Sequence, residues 1–200
     1  MQLVLIRHGL PVRQQNADGA PADPALSPQG AAQARAVAAW LAGERFHALY
    51  SSPLRRALET AAPLAEHHGL AVEVEPRIIE LDHASEDYIP MEELKAEDPE
   101  AWKAKLGEEG YAGVDLPAFR TRVVEGLEAI ARRHPGERVA VACHGGVVNA
   151  WASHILGLPE PLFFEPAYTS VSRFLAASSG ERSIQSLNET AHLRDLDRPR

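Results

Sequence analysis

Leu3-Val4-Leu5-Ile6-Arg7-His8-Gly9 and Val139-Ala140-Val141-Ala142-Cys143-His144-Gly145-Gly146 are two short apolar runs that each end in a His-Gly pair. Four consecutive apolar residues, Val- and Ile-rich in the first run, read as a strand buried on both faces, as in a parallel sheet. In open α/β sheets, ligands sit beyond the carboxyl ends of such strands, where strand order reverses. Two imidazoles delivered to that edge, one of them beside an arginine, describe a pocket for an anion.

The rest of the chain alternates strands and helices around these two. Residues 10–26 contain Pro11, Gly19, Pro21 and Pro24 and read as a long loop. Ser27-Pro28 starts a helix with a capping hydroxyl followed by proline, and Ala34, Val37, Ala38 and Leu41 share its inner face. His47–Tyr50 is a short strand. Ser52-Pro53 repeats the cap before a helix with Leu54, Ala57, Leu58, Ala61, Leu64 and Ala65 as its buried stripe. Val72–Val74 is a further strand. Residues 83–114, rich in Glu and broken by Pro90, Pro99, Gly107, Gly110 and Gly113, are expected as short helices and loops forming a cap. Phe119, Val123, Leu127 and Ile130 line a long helix ending at His134-Pro135-Gly136. A helix over 146–156, strands at 170–176 and 183–187, and a loose polar tail over about 189–200 complete the reading. No repeat or linker divides the chain, so a single domain over 1–200 is expected.

Composition narrows the partners. The 200 residues are 45% hydrophobic, enough for a packed core. A net charge of −8 disfavours nucleic acid and anionic membranes as partners, so any anion site is built locally by a few arginines. The single Cys143 excludes an intramolecular disulfide and fits a reducing cytoplasm. The chain opens on a strand without a signal-like leader, and no apolar run reaches the roughly 20 residues of a membrane helix. A soluble cytoplasmic protein is expected.

Four groups carry candidate chemistry. Neutral imidazole at His8 is a nucleophile toward phosphorus, and the planar fork of Arg7 suits two phosphate oxygens. Ser51-Ser52-Pro53-Leu54-Arg55-Arg56 brings arginines to a helix amino end, where backbone N–H groups favour anions. His144-Gly145-Gly146 repeats that logic with the Gly145 backbone as a cradle. Glu80 lies among Ile78, Ile79 and Leu81, where desolvation raises a carboxyl pKa toward that of a proton donor. Taken singly, each also reads as a strand end, a helix cap or a solvated charge.

Together, Arg7-His8-Gly9, Ser52-Pro53-Leu54-Arg55-Arg56-Ala57, Glu80 and His144-Gly145-Gly146 resemble the histidine phosphatase superfamily, the phosphoglycerate mutase-like proteins, and within it the small bacterial-type phosphatases. The resemblance includes Leu26-Ser27-Pro28-Gln29-Gly30 with Gln33-Ala34, and the late Thr169-Ser170-Val171-Ser172. It implies a three-layer α/β/α sandwich with a mostly parallel sheet. It makes His8 the nucleophile, Arg7, Arg56 and His144 ligands of the phosphoryl oxygens, and Glu80 the proton donor. It implies a small phosphate ester as substrate and calls for no cofactor and no metal. Arg56 rather than Arg55 matches because the family's arginine precedes alanine.

Departures from the family pattern bear on function. Where many members read Glu-Thr after Arg-His-Gly, this chain has Leu10-Pro11, followed by Gln14, Gln15 and Asn16. Asn16 is the candidate for a further phosphate contact from that loop, with Gln14 as its alternative. The mutase signature after the acid is replaced by Glu80-Leu81-Asp82-His83-Ala84, which favours hydrolysis over phosphoryl transfer between substrates. A mutase and a non-catalytic phosphate-binding protein are the alternatives within the fold. Zinc hydrolysis is disfavoured, since no compact ligand spacing such as His-Glu-x-x-His occurs and two arginines in one pocket repel a divalent cation. The acidic Glu86, Asp87, Glu92 and Glu93 of the cap disfavour a large polyanion. His83 is a candidate neighbour of the mouth, while Trp151 and Phe163-Phe164 suit either core or an interface.

Overall fold

The computed structural model describes residues 1–106, 114–194 and 196; the expected breaks at Gly107, Gly110 and Gly113 and the last residues of the tail lie outside them. A six-stranded sheet runs through the centre. In chain order its strands are β1 (Gln2–Arg7), β3 (Ala48–Ser51), β4 (Val72–Val74), β6 (Arg138–Cys143), β7 (Val171–Ala176) and β8 (Arg182–Glu189). Their spatial order is β4-β3-β6-β1-β7-β8. The first four are parallel, and β7 and β8 close one side antiparallel.

Alternation along the strands explains the layers, because successive side chains point to opposite faces. Leu3, Leu5, Val139, Val141 and Cys143 pack against α5 (Leu116–Arg133) and α6 (Gly145–Leu156) through Phe119, Val123, Leu127, Ile130, Val147 and Trp151. Val4, Ile6, Ala140 and Ala142 pack against α1 (Pro28–Leu41) and α2 (Arg55–His68) through Val37, Leu41, Ala61 and Leu64. The architecture is therefore a three-layer α/β/α sandwich. Trp151 is core, whereas Phe163 remains 40% exposed.

Helix starts differ in one instructive way. Ser27 caps α1 as expected, its Oγ accepting from the Gly30 N–H at 3.0 Å, with Pro28 in the first turn. Ser52 does not cap α2. That helix begins at Arg55, and its N-cap residue is Leu54, without a side-chain bond. The hydroxyl of Ser52 serves the site instead.

The long loop and the polar tail carry structure that the sequence reading did not give them. Gln14–Gln15 (β2) pairs antiparallel with Asp87–Tyr88 (β5), tying the long loop to the segment expected as a cap. Two short helices, α3 (Met91–Glu97) and α4 (Pro99–Leu106), follow in the cap. Near the end of the chain, β8 continues through Glu189 and Ala191–Leu193 forms a 3-10 turn, so this part of the expected tail is held. His192 stacks on Trp40, with ring centroids 5.0 Å apart, and its Nε2 lies 3.2 Å from Thr169 Oγ1. No helix among the described residues is long and apolar enough to cross a membrane.

Candidate active site

The parallel pairing of β1 with β6 sets Arg7 level with Cys143. The His8 N–H then donates to the Cys143 carbonyl at 2.9 Å, extending the ladder by one residue. The two His-Gly ends thus leave the sheet side by side, with imidazole centroids 5.1 Å apart. On the far side of β6, the Ser52 N–H donates to the Ala142 carbonyl at 3.0 Å, bringing the start of α2 to the same edge.

The tautomer of His8 follows from its partner. Its Nδ1 lies 2.8 Å from the Gly9 carbonyl oxygen, which can only accept. Nδ1 therefore carries the proton, and Nε2 keeps its lone pair. Burial, then the charges of Arg56 and Arg7, hold the His8 pKa well below the ordinary histidine value, so the ring is neutral.

Arg7 and Arg56 are both buried. The guanidinium of Arg7 lies 4.0 Å from the Tyr168 ring centre and donates to the Pro166 carbonyl. Arg56 Nη2 donates to Asp82 at 3.3 Å, beneath the Tyr88 ring. The Nε atom of each is buried without a hydrogen-bond partner among the described residues, which marks unspent donor capacity for an anion. With His8 and Glu80 they line a cavity of about 540 Å³.

Glu80 is held at the start of α6. Its carboxylate accepts from the Leu81 N–H and the Gly146 N–H, each at 2.9 Å. The anion expected at the His144-Gly145-Gly146 cradle is thus in part Glu80 itself. A side chain at Gly146 would run into the Glu80 carboxyl, so glycine here lets that carboxyl approach the start of α6. Burial first, then Asp82, raise the Glu80 pKa to about 7 against the backbone donors and Arg56. Sequence reading missed Arg122 of α5, whose guanidinium bonds the Arg77 and Ile79 carbonyls at 2.8 and 3.0 Å and so fixes the segment that presents Glu80.

His144 is fully buried and is not part of the cavity wall. Its Nε2 lies 2.7 Å from Ser52 Oγ, and its Nδ1 has no partner among the described residues. Burial, Arg56, His8 and Arg7 lower its pKa well below the ordinary value. Gly145 lines the cavity beside Arg7.

Asn16 does not reach the cavity. Its amide donates to the Ala20 and Pro21 carbonyls, and its oxygen accepts from Gln14, so both loop candidates serve the loop's own turn. His83 is turned away, with its Nδ1 on the Glu80 carbonyl at 2.8 Å. Asn149, unmarked in the sequence because it lies inside an apolar helix, pins the cavity's outer wall. It donates to the Gly145 and Phe164 carbonyls and accepts from the Phe163 and Phe164 N–H groups.

The profile of the histidine phosphatase superfamily, branch 1, matches residues 3–190. The chain belongs to this superfamily. It is 33% identical over 176 residues to phosphoserine phosphatase 1 of Hydrogenobacter thermophilus, covering 86% of this chain and 83% of that one. Among solved structures it superposes on the phosphoserine phosphatase of Entamoeba histolytica in complex with 3-phosphoglyceric acid, with a TM-score of 0.73 and 26% identity. That match covers 96% of this chain and 98% of the other. A mycobacterial glucosyl-3-phosphoglycerate phosphatase complexed with VO3 gives a TM-score of 0.74 at 26% identity, covering 94% and 99%. The protein is thus a phosphatase or mutase of the histidine phosphatase fold.

Membership also gives physical content to the Leu26–Gly30 signature with Gln33. Ser27 donates from both N–H and Oγ to the Leu10 carbonyl at 2.9 Å, while Gln33 accepts from the Leu10 N–H at 2.9 Å. A Cβ on Gly30 would lie 2.0 Å from the Leu10 oxygen, and one on Gly9 would lie 2.6 Å from the Gly30 oxygen. In this superfamily chain the signature clamps the residues that follow the His8 loop directly onto α1.

Proposed function

We propose that the protein is a metal-independent phosphomonoesterase that works through a phosphohistidine on His8. The observation that carries this reading is the fixed tautomer of His8, with Nδ1 tied to the Gly9 carbonyl and an unprotonated Nε2 in a cavity with Arg7, Arg56 and Glu80. Nε2 attacks phosphorus, the ester P–O bond breaks, and the departing alkoxide takes the proton of Glu80. Glu80, now a carboxylate, accepts a proton from water. That water attacks phosphorus, the P–N bond breaks, and phosphate leaves with neutral His8 restored. Arg7 and Arg56 stabilise charge on the non-bridging oxygens, the work a divalent cation does in other phosphatases. His144, anchored by Ser52 with its ring centroid 5.1 Å from that of His8, is the buried group behind the nucleophile whose free Nδ1 would serve a phosphoryl oxygen.

The relatives named above act on small phosphorylated metabolites, and a cavity of about 540 Å³ suits a substrate of that size. The test is hydrolysis of phosphate esters in EDTA by wild type and His8→Ala, with an acid-labile, base-stable phosphoryl-enzyme trapped from the wild type. Turnover and trapping should both vanish in His8→Ala. Substantial hydrolysis by that variant would refute the assignment.

A further inference from the structure

We infer that the alcohol released by this site is apolar, an alkyl or aryl group, rather than one bearing a carboxylate. This rests on the phosphomonoesterase reading and names its substrate class. Outside the phosphoryl end, the cavity is walled by Leu81, Ile89, Met91, Leu162, Phe163 and Phe164. The amide among them is already spent. All the amide bonds of Asn149 go to the backbone of Gly145, Phe163 and Phe164. The cations on the described wall are Arg7 and Arg56, which a bound phosphoryl group engages. A carboxylate on the leaving group would instead meet Asp82 and Glu165, both on the same wall. Desolvating an unpaired carboxylate there is costly, whereas each buried methylene is favourable.

A neighbouring cavity of about 310 Å³ shares Arg7, Met91, Glu165 and Pro166 with the first and adds Trp102, with the Lys95 ammonium 4.5 Å from its ring centre. Lys95 is therefore the residue through which a carboxylate would have to be accommodated, which makes it the control.

The experiment measures kcat/KM for n-alkyl phosphates from ethyl to hexyl, phenyl phosphate, O-phosphoserine and 3-phosphoglycerate. In parallel, calorimetry measures binding of the matching n-alkylphosphonates, which cannot be hydrolysed. Both series should strengthen by roughly three- to fourfold per methylene until the cavity is filled. O-phosphoserine should fall below propyl phosphate, and Phe163→Ala should weaken hexyl phosphate more than ethyl phosphate. A flat series, or a lead for the carboxylated esters that Lys95→Met removes, would overturn the inference. If no ester is turned over and no phosphoryl-enzyme forms, the phosphomonoesterase reading fails, and the phosphonate series still decides whether the cavity selects apolar groups.

Discussion

Glu80 keeps its proton near neutrality because burial, reinforced by Asp82, outweighs two backbone donors and Arg56, which places its pKa at about 7. Two outcomes of opposite practical sign follow. In its proposed role of leaving-group acid it must be protonated, so kcat/KM for alkyl phosphates should fall about tenfold per pH unit well above pH 7, while p-nitrophenyl phosphate shows a shallower fall. Glu80→Gln should abolish that difference in slope. For stability, a carboxyl whose folded pKa lies above its ordinary value of 4.5 contributes stability that is full below that value and is lost as pH rises through about 7. Thermal melts at pH 5 and pH 8 should therefore show Glu80→Gln gaining on wild type at the higher pH. Ser52 gives a third residue-level outcome. Ser52→Ala strands the buried Nε2 of His144, so denaturant titration should show a loss of about 1–3 kcal/mol, together with slower turnover.

At the scale of elements, the junction between the β1 loop and α1 is the least forgiving contact near the site. Gly30→Ala would drive a methyl into the Leu10 carbonyl and should cost about 3 kcal/mol or more in unfolding measurements, with turnover falling as the His8 loop is displaced. Gly43, just beyond the end of α1, has nothing within 4 Å of a built Cβ, and Gly43→Ala should change stability by less than about 1 kcal/mol. Most of this scale was legible in the sequence, because strands buried on both faces and helices with one apolar stripe leave clear periods. Ser52-Pro53 was misread for a physical reason: a hydroxyl before proline has the same local pattern whether it caps a helix or bonds a distant histidine. The β2–β5 pair was hidden as well, since two-residue strands have no period, and Asn16 matched a role by chain position while its own turn consumed its amide. Asn149 and Arg122 were invisible because their partners are backbone atoms, most of them far along the chain.

Across the whole molecule, the two buried imidazoles act against Glu80 as pH falls. His8 and His144 both have folded pKa values well below the ordinary 6.5, so they add stability that is full above pH 6.5 and is lost as pH falls from there toward their folded values. In urea titrations at pH 7.5 and 5.5, the change on acidification should be less unfavourable for His144→Asn than for wild type. Three-layer architecture was legible at this scale, and so was the sheet edge that carries the site. The closure of the cavity by the cap and the 162–166 segment was not, because it depends on where irregular chain settles against the sheet.

The position of β1 has a further consequence for how the protein comes into being. This strand precedes every other described element in the chain, yet it lies inside the sheet, between β6 and β7. A nascent chain emerging from the ribosome therefore makes His8 before β6 and β7 and must leave it without these neighbours until they are synthesised. Such long-range closure is slow, and an apolar strand stays unpaired during that interval. Recovery of turnover after dilution from denaturant would time the insertion of that strand, with the enzyme acting as its own clock.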